Sequence, residues 1–270
     1  MIPTASSRLR VMTFNVRMAS ARGDGVNAWD RRADVNVRAI QAQAPDLIGF
    51  QELQEPHLRV YRRRLDGYLS ALGPEVSSRV HPEHPAIFWR PDRLRLIEAG
   101  GFYLSETPDR WSESWGTACV RGATWALLHP LGHERPLLHC NTHLDHESAA
   151  ARVEGSRLIL RRLAALAGGA TCLLTGDFNA PAGSDVQRLY LDQGFEDMHQ
   201  GDPEGTFHGF KGDRRGDRAR IDWIMHRPGP LPLSPRRYEI VRFGEPPLFP
   251  SDHFPVVADF DLETATRRDP

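Results

Sequence analysis

The chain has 270 residues with 34 basic and 35 acidic side chains, a formal net charge of -1. That balance argues against a histone-like or tail-driven nucleic-acid binder, whose affinity rests on an excess of Lys and Arg. A hydrophobic share of 40% with 26% charged residues is too apolar for a disordered chain and ordinary for a folded one.

Lys211 is the single lysine, so every other basic side chain is arginine, most simply a mark of genomic base composition. Cys119, Cys140 and Cys172 form no Cys-x-x-Cys pair, and neither a disulfide framework nor a zinc site is expected. No run reaches the roughly 18 apolar residues needed to span a bilayer. Met1 to Arg10 has no apolar h-region, which makes a cytoplasmic protein without a membrane partner the expectation.

In chain order, Arg10 to Val16 reads as a strand running into a polar loop, Met18 to Asn27. Ala33, Val37, Ile40 and Ala44 recur at helical spacing after Trp29 until Pro45-Asp46 stops them. Leu47 to Gln51 reads as a buried strand and Glu55 to Leu65 as a second helix. Ala86 to Arg90, Leu94 to Ala99, Cys119 to Leu128 and Pro136 to Thr142 are strand candidates between Gly, Pro and Asp turns.

Ala149, Val153, Ser156, Leu160, Leu163 and Ala167 form an amphipathic helix closed by Gly168-Gly169. Thr171 to Thr175 is a further strand, and Ser184 is placed to cap a short helix reaching Gln193. Arg220 to Met225 and Pro255 to Phe260 supply the last strands. The charged segment Lys211 to Arg220 reads as a rim loop. No repeat or composition shift marks a boundary, and the pattern suggests two sheets with helices outside.

The informative feature lies at the strand ends. Asn15 and Glu52 each follow an apolar run. Asn141, His143 and Asp145 follow Leu137 to Cys140, and Asp177 with Asn179 follows Cys172 to Gly176. Asp222 sits inside an apolar strand, and Asp252-His253 precedes Phe254 to Val257. Burying such groups singly is costly, so convergence on one site is the economical reading. Carboxylate and amide oxygens without thiolate suit a hard cation, Mg2+ or Mn2+, more than zinc. Two imidazoles and an Asp-Asn pair beside such a cation fit phosphoryl transfer to water.

Competing motifs fail on spacing. No Gly-x-x-x-x-Gly-Lys-Ser/Thr run occurs, since Lys211 follows Phe210. His146-Glu147 has no second His one turn later, Ser251-Asp252-His253 cannot stack as a triad, and no Gly-x-Ser-x-Gly elbow is present.

Thr13-Phe14-Asn15-Val16-Arg17, Gln51-Glu52-Leu53, Asn141-Thr142-His143-Leu144-Asp145, Gly176-Asp177-Phe178-Asn179, Arg220 to Ile224 and Ser251 to Val256 resemble, in order, the motifs of the endonuclease/exonuclease/phosphatase superfamily, the deoxyribonuclease-I-like metal-dependent phosphoesterases. Gly25 to Arg31, Tyr103 to Asp109 and Gly205 to Phe210 resemble a branch of small bacterial members. The resemblance implies an α/β fold, a four-layer α/β sandwich of two mixed β-sheets packed face to face with helices outside. It spans one domain over residues 1–270, with a core of about 10–262.

It further implies Glu52 as the principal Mg2+ ligand with Asn15 and Asp252 near it. Asp177 would activate water, helped by Asn179, while His143 and the Asp222-paired His253 would contact the scissile phosphate. Asn141, Asp145 and Arg121 are the expected substrate contacts, Arg121 with a reading as a surface arginine beside it. Glu83-His84-Pro85 departs from the family pattern of an aromatic residue with Asn or Ser, which leaves the role of Glu83 open. Trp111 and Trp115 read as packing or as base-stacking residues.

The expected activity is Mg2+-dependent hydrolysis of a phosphodiester or phosphomonoester by a monomer, with a nucleic acid, nucleotide or small phosphorylated molecule as partner. A nuclease and a small-molecule phosphatase compete within that class. A catalytically silent binding module is the alternative outside it.

Overall fold

The computed structural model describes residues 8–199, 201, 205–212 and 220–262. Its strands are β1 (Arg8–Asn15), β2 (Leu47–Gln51), β3 (Leu69–Ala71), β4 (Ile87–Trp89), β5 (Leu94–Tyr103), β6 (Gly122–Pro130), β7 (Leu137–His143), β8 (Thr171–Asp177), β9 (Glu196–Asp197), β10 (Asp222–Arg227), β11 (Leu233–Ile240) and β12 (Val256–Leu262). The helices are α1 (Trp29–Gln43), α2 (Glu55–Arg64), α3 (Ala149–Ala167) and α4 (Asp185–Leu191).

Two parallel crossovers set the frame. β1 and β2 pair in parallel through α1, and β7 and β8 through α3. Antiparallel neighbours extend each pair into a six-stranded sheet, in the orders β11-β12-β1-β2-β4-β3 and β5-β6-β7-β8-β10-β9. The two mixed sheets pack face to face with helices outside, the α/β sandwich expected from the motifs.

Strand alternation explains the layering, because successive side chains point to opposite faces. Val11, Leu47, Leu137, Leu173 and Ala258 enter one core shared by both sheets. Their neighbours Met12, Ile48 and Val257 pack on Val37, Ile40, Leu58 and Tyr61 of α1 and α2. Leu138 and Leu174 pack instead on Ile159, Leu163 and Tyr190 of α3 and α4. Strands covered on both faces read as near-continuous apolar runs, which is why they were legible.

Helix ends also follow local chemistry. Ser148 and Ser184 cap α3 and α4, their Oγ atoms accepting from the N–H groups of Ala151 and Gln187 at 3.1 and 3.3 Å. Gly168 ends α3 with φ 49°, a left-handed conformation that glycine adopts without steric cost.

Some elements differ from the sequence reading. β5 runs on to Tyr103, and β6 begins at Gly122 rather than Cys119. β11 has no counterpart in that reading. It is an edge strand whose Pro235, Arg236 and Arg237 are exposed, with a register shift between Pro235 and Arg237. Edge strands carry such Pro and charged residues and lose the apolar signature of a core strand. Of the expected rim loop, residues 213–219 lie outside the described residues. No helix of the described residues is long and apolar enough to cross a membrane.

The face between the sheets changes character along each central strand. β1 runs Leu9, Val11, Thr13, Asn15; β7 runs Leu137, His139, Asn141, His143; β8 ends Leu173, Thr175, Asp177. His139 sits where apolar gives way to polar. It is fully buried, with Nε2 2.8 Å from Thr175 Oγ1. Burial pushes its pKa down to about 3, against about 6.5 when unfolded. The unfolded chain therefore binds this proton first as pH falls. Its stabilising effect is complete above about pH 6.5 and is lost on acidification at about 1.4 kcal/mol per pH unit. Urea titrations of His139→Gln, whose amide can keep the bond to Thr175, are expected to show a shallower loss of stability between about pH 6 and 4, by about that slope. An unchanged slope contradicts it.

Candidate active site

The polar ends of the central strands meet at one edge of the sandwich. Asn15 ends β1, Glu52 follows β2, His143 ends β7 and Asp177 ends β8. Asp222 opens β10 directly across the ladder from Asp177, and Asp252-His253 lies just ahead of β12. Arg17, Glu52 and Asn179 adopt positive φ angles of 55°, 58° and 46°. For non-glycine residues that conformation costs about 1 kcal/mol or more and concentrates at functional sites.

Arg32 of α1 holds this edge together from behind. Its guanidinium is fully buried and donates to the carbonyls of Val16, Pro250 and Arg17 at 2.8, 2.9 and 2.6 Å. The loop after β1 and the loop before β12 are thereby joined.

Asn15 sits between the two acidic groups, its Nδ2 donating to Glu52 Oε1 at 2.9 Å and to Asp177 Oδ2 at 3.0 Å. Its Oδ1 accepts from Arg17 N–H, and the second Glu52 oxygen accepts from Met18 N–H at 2.7 Å. Asp177 Oδ1 accepts from the Asn179 N–H at 2.9 Å, while Oδ2 stands 3.5 Å from His143 Nε2 and 3.8 Å from His253 Nε2. Asn179 Nδ2 lies 3.1 Å from His143 Nε2, and His253 Nδ1 lies 2.9 Å from Asp222 Oδ2.

The electrostatics separate the two imidazoles. Burial acts against a charge on His253, but Asp222, with Asp177 and Asp252 adding to it, outweighs burial and lifts the pKa to about 10. Burial, followed by Arg121 and His253, holds His143 well below its ordinary value. His253 is thus a cation at neutral pH and His143 a neutral ring. Burial and then Asp222 raise Asp177 to about 7, and burial and then Glu52 raise Glu83 to about 7. Asp252 is raised by burial, with Glu52 adding to it.

Glu52, Glu83, Arg121, His143, Asp177, Asp252 and His253 line a cavity of about 300 Å³. Several buried carboxyl groups held above their ordinary range share it, a surplus of negative charge that an oxygen-seeking divalent cation would relieve. The donor set therefore fits the metal expected from sequence. Asp177, Asp222 and His253 also offer ligand atoms within 4.8 Å of one another, but His253 Nδ1 is engaged with Asp222. Glu52 and Asp252 bring two further carboxyl groups to the cavity.

Residues 12–253 match the Endonuclease/Exonuclease/phosphatase family. The chain belongs to this family. Its class of enzyme is the metal-dependent phosphoesterases. It is similar to the endonuclease/exonuclease/phosphatase protein of Bacteroides vulgatus, with 28% identity and a TM-score of 0.86 over 96% of this chain and 100% of the other. It is also similar to a mannosyl-6-phosphatase of Bacteroides thetaiotaomicron, with 28% identity and a TM-score of 0.84 over 93% and 99% of the two chains. Nocturnin of Drosophila melanogaster is 26% identical over 280 residues, and the match covers 87% of this chain but 42% of Nocturnin.

Within this endonuclease/exonuclease/phosphatase site, Glu52, Asp252, Asp177, Asn179, His143, His253 and Arg121 line the cavity. Asn15 and Asp222 stand directly behind it, bonded to Glu52, Asp177 and His253. Two expected substrate contacts lie elsewhere. Asn141 is fully buried, its Nδ2 donating to the carbonyls of Phe50 and Ala86 at 2.8 and 3.1 Å. Its Oδ1 accepts from Gln51 Nε2 and Thr175 Oγ1 at 2.7 and 3.0 Å. Asp145 spends its oxygens on the N–H groups of Glu147, Ser148 and Ala118 and on the Thr117 hydroxyl. Both bind the fold rather than the substrate, because their hydrogen-bonding capacity is used inside the protein.

The cavity also draws in residues that the sequence assigned no task. Arg17 lies 3.6 Å from Asp252, and His146 Nδ1 lies 2.9 Å from Arg121 Nη2. Phe207 is 43% exposed at the rim, its ring 5.0 Å from that of His253. Glu83, on the segment that departs from the family pattern, is a buried wall residue. Arg17 was within reach of sequence reasoning because it closes the first motif; Phe207 and His146 carry no comparable signal. Trp111 packs under Arg79 and against Tyr103, and Trp115 against the α3 side of the core.

Asn141→Ala removes four hydrogen bonds and leaves buried partners unsatisfied. A loss of about 2–4 kcal/mol is expected in urea unfolding, with kcat/KM of the folded fraction unchanged. A raised KM at full stability would return Asn141 to the substrate.

Proposed function

We propose that the protein is a Mg2+-dependent hydrolase of compact phosphomonoesters, acting by direct attack of water on phosphorus. The observation that carries this reading is the position of Asp177. One of its oxygens is held by the Asn179 N–H, and the other faces Asn15, His143 and His253 at 3.0 to 3.8 Å inside the cavity.

Glu52 and Asp252 would hold the cation, with Asn15 fixing the Glu52 carboxylate. Bound there, Mg2+ supplies charge neutralisation at the phosphoryl and leaving oxygens. Asp177 orients the attacking water and accepts its proton, for which a pKa near 7 is suited. Asn179 sets the direction of both Asp177 and the neutral His143 ring. His253, kept cationic by Asp222, stabilises the equatorial oxygens as charge gathers on them. Arg121 brings a buried guanidinium to the substrate wall.

A compact substrate is favoured over duplex nucleic acid by the cavity of about 300 Å³, the small end of ligand pockets, and by the near-neutral charge of the chain. The likeness to a mannosyl-6-phosphatase supports the same choice. Three free cysteines fit a reducing, cytoplasmic setting.

The test is phosphate release from a panel of sugar phosphates, nucleotides and single-stranded oligonucleotides. Activity is expected with Mg2+, to be abolished by chelation and restored by adding the ion back. Asp177→Asn is expected to lower kcat by about 10³ and His253→Gln by about 10² or more. Hydrolysis indifferent to chelation, or an Asp177→Asn variant at full rate, contradicts the assignment.

A further inference from the structure

Glu83 lines the cavity, and hydrolysis gives it no task. The residue is 3% exposed and is held by backbone pairing with Val76, Glu83 N–H donating to the Val76 carbonyl and Val76 N–H to that of Glu83. Ser77, next to Val76, interacts with its carboxyl group. Among the described residues Glu83 forms no ion pair within 4.0 Å, although Arg121 lines the same cavity and contributes to its electrostatic environment.

Arg121 is equally underused. It is 5% exposed. Its Nη2 meets His146 Nδ1 at 2.9 Å, and its Nε lies 3.8 Å from Asp145 Oδ2 with no hydrogen-bond partner. A guanidinium has five N–H donors, so most of those of Arg121 are unspent. A buried acceptor and a buried donor thus border one cavity without joining each other, and each has a desolvation cost that a ligand can relieve.

The chemistry of the pair selects what fits between them. A phosphoryl oxygen satisfies Arg121 but has no proton to offer the Glu83 oxygens. An ammonium satisfies Glu83 but has nothing to offer a guanidinium. A hydroxyl group donates to the carboxylate and accepts from the guanidinium at once. We propose that Glu83 and Arg121 together read a hydroxyl on the organic part of the substrate, which makes phosphomonoesters of polyols, hexose phosphates among them, the preferred class. Arg121 retains donors enough to touch a phosphoryl oxygen as well. The inference rests on the hydrolase reading above and adds to it a specificity-determining role for Glu83.

The experiment compares hexose 6-phosphate with phenyl phosphate, which has no hydroxyl, as substrates of the full chain and of Glu83→Gln and Glu83→Ala, in Mg2+. Circular dichroism and thermal unfolding establish that each variant is folded. Wild type is expected to favour the hexose phosphate. Each variant is expected to lower the ratio of the two kcat/KM values by about tenfold or more, the scale of a lost charge-assisted hydrogen bond, chiefly through KM for the hexose phosphate. A ratio that does not move while both activities fall together overturns the proposal and assigns Glu83 to the hydrolytic machinery. So does an unmoved ratio with a changed Mg2+ requirement, the mark of a carboxylate serving a cation. Wild-type hydrolysis of phenyl phosphate without preference for the hexose ester overturns the inference and leaves the hydrolase reading standing. Turnover of neither substrate overturns the inference, and the hydrolase reading falls with it when nucleotides and oligonucleotides also release no phosphate.

Discussion

The molecule depends on how the gap between its two sheets is filled. At one end of the gap Leu9, Val11, Leu47, Leu137 and Leu173 pack as an ordinary apolar core. Toward the other end the same faces of the same strands carry Thr13, Gln51, His139, Asn141 and Thr175. Polar groups buried between sheets destabilise the fold unless each finds a partner. Asn141 meets this demand with both of its groups: Oδ1 accepts from Gln51 Nε2 across the gap and from Thr175 Oγ1 on the neighbouring strand, and Nδ2 bonds the backbone at Phe50 and Ala86.

The active-site edge is the continuation of this layer into the cavity. Asn15, His143 and Asp177 are the next inward-facing positions after Thr13, Asn141 and Thr175 on β1, β7 and β8. They inherit their placement from a rigid scaffold rather than from flexible loops. Side chains positioned in this way lose little freedom when substrate binds, the requirement for preorganised electrostatic stabilisation. The Asp222–His253 pair extends the same logic. A carboxylate buried behind a ring keeps that ring cationic at 2.9 Å, where solvent exposure would leave it near its ordinary pKa.

Much of this was legible in the residues. Apolar runs bounded by Gly, Pro and Asp located most of the strands, and the helical period located α1 and α3. The recurrence of Asn, Asp, Glu and His at strand ends pointed to one site. Edge strand β11 escaped because Pro235, Arg236 and Arg237 erase the alternation by which strands are recognised. Asn141 and Asp145 were assigned to substrate because they share a motif with His143. Position in a motif does not tell whether an amide or carboxylate spends its lone pairs on the protein or on a ligand.

The sequence by itself determined the chemistry available: hard oxygen donors, two imidazoles and an Asp-Asn pair at the ends of apolar strands, in an order that names the family. Periodicity and motif order are properties of the chain and survive without coordinates. Tertiary structure alone decided which groups share the cavity and in what charge state, because burial and proximity arise between segments far apart in sequence. It made His253 a cation and His143 neutral, turned Asn141 inward, and set Glu83 and Arg121 around one space without pairing them.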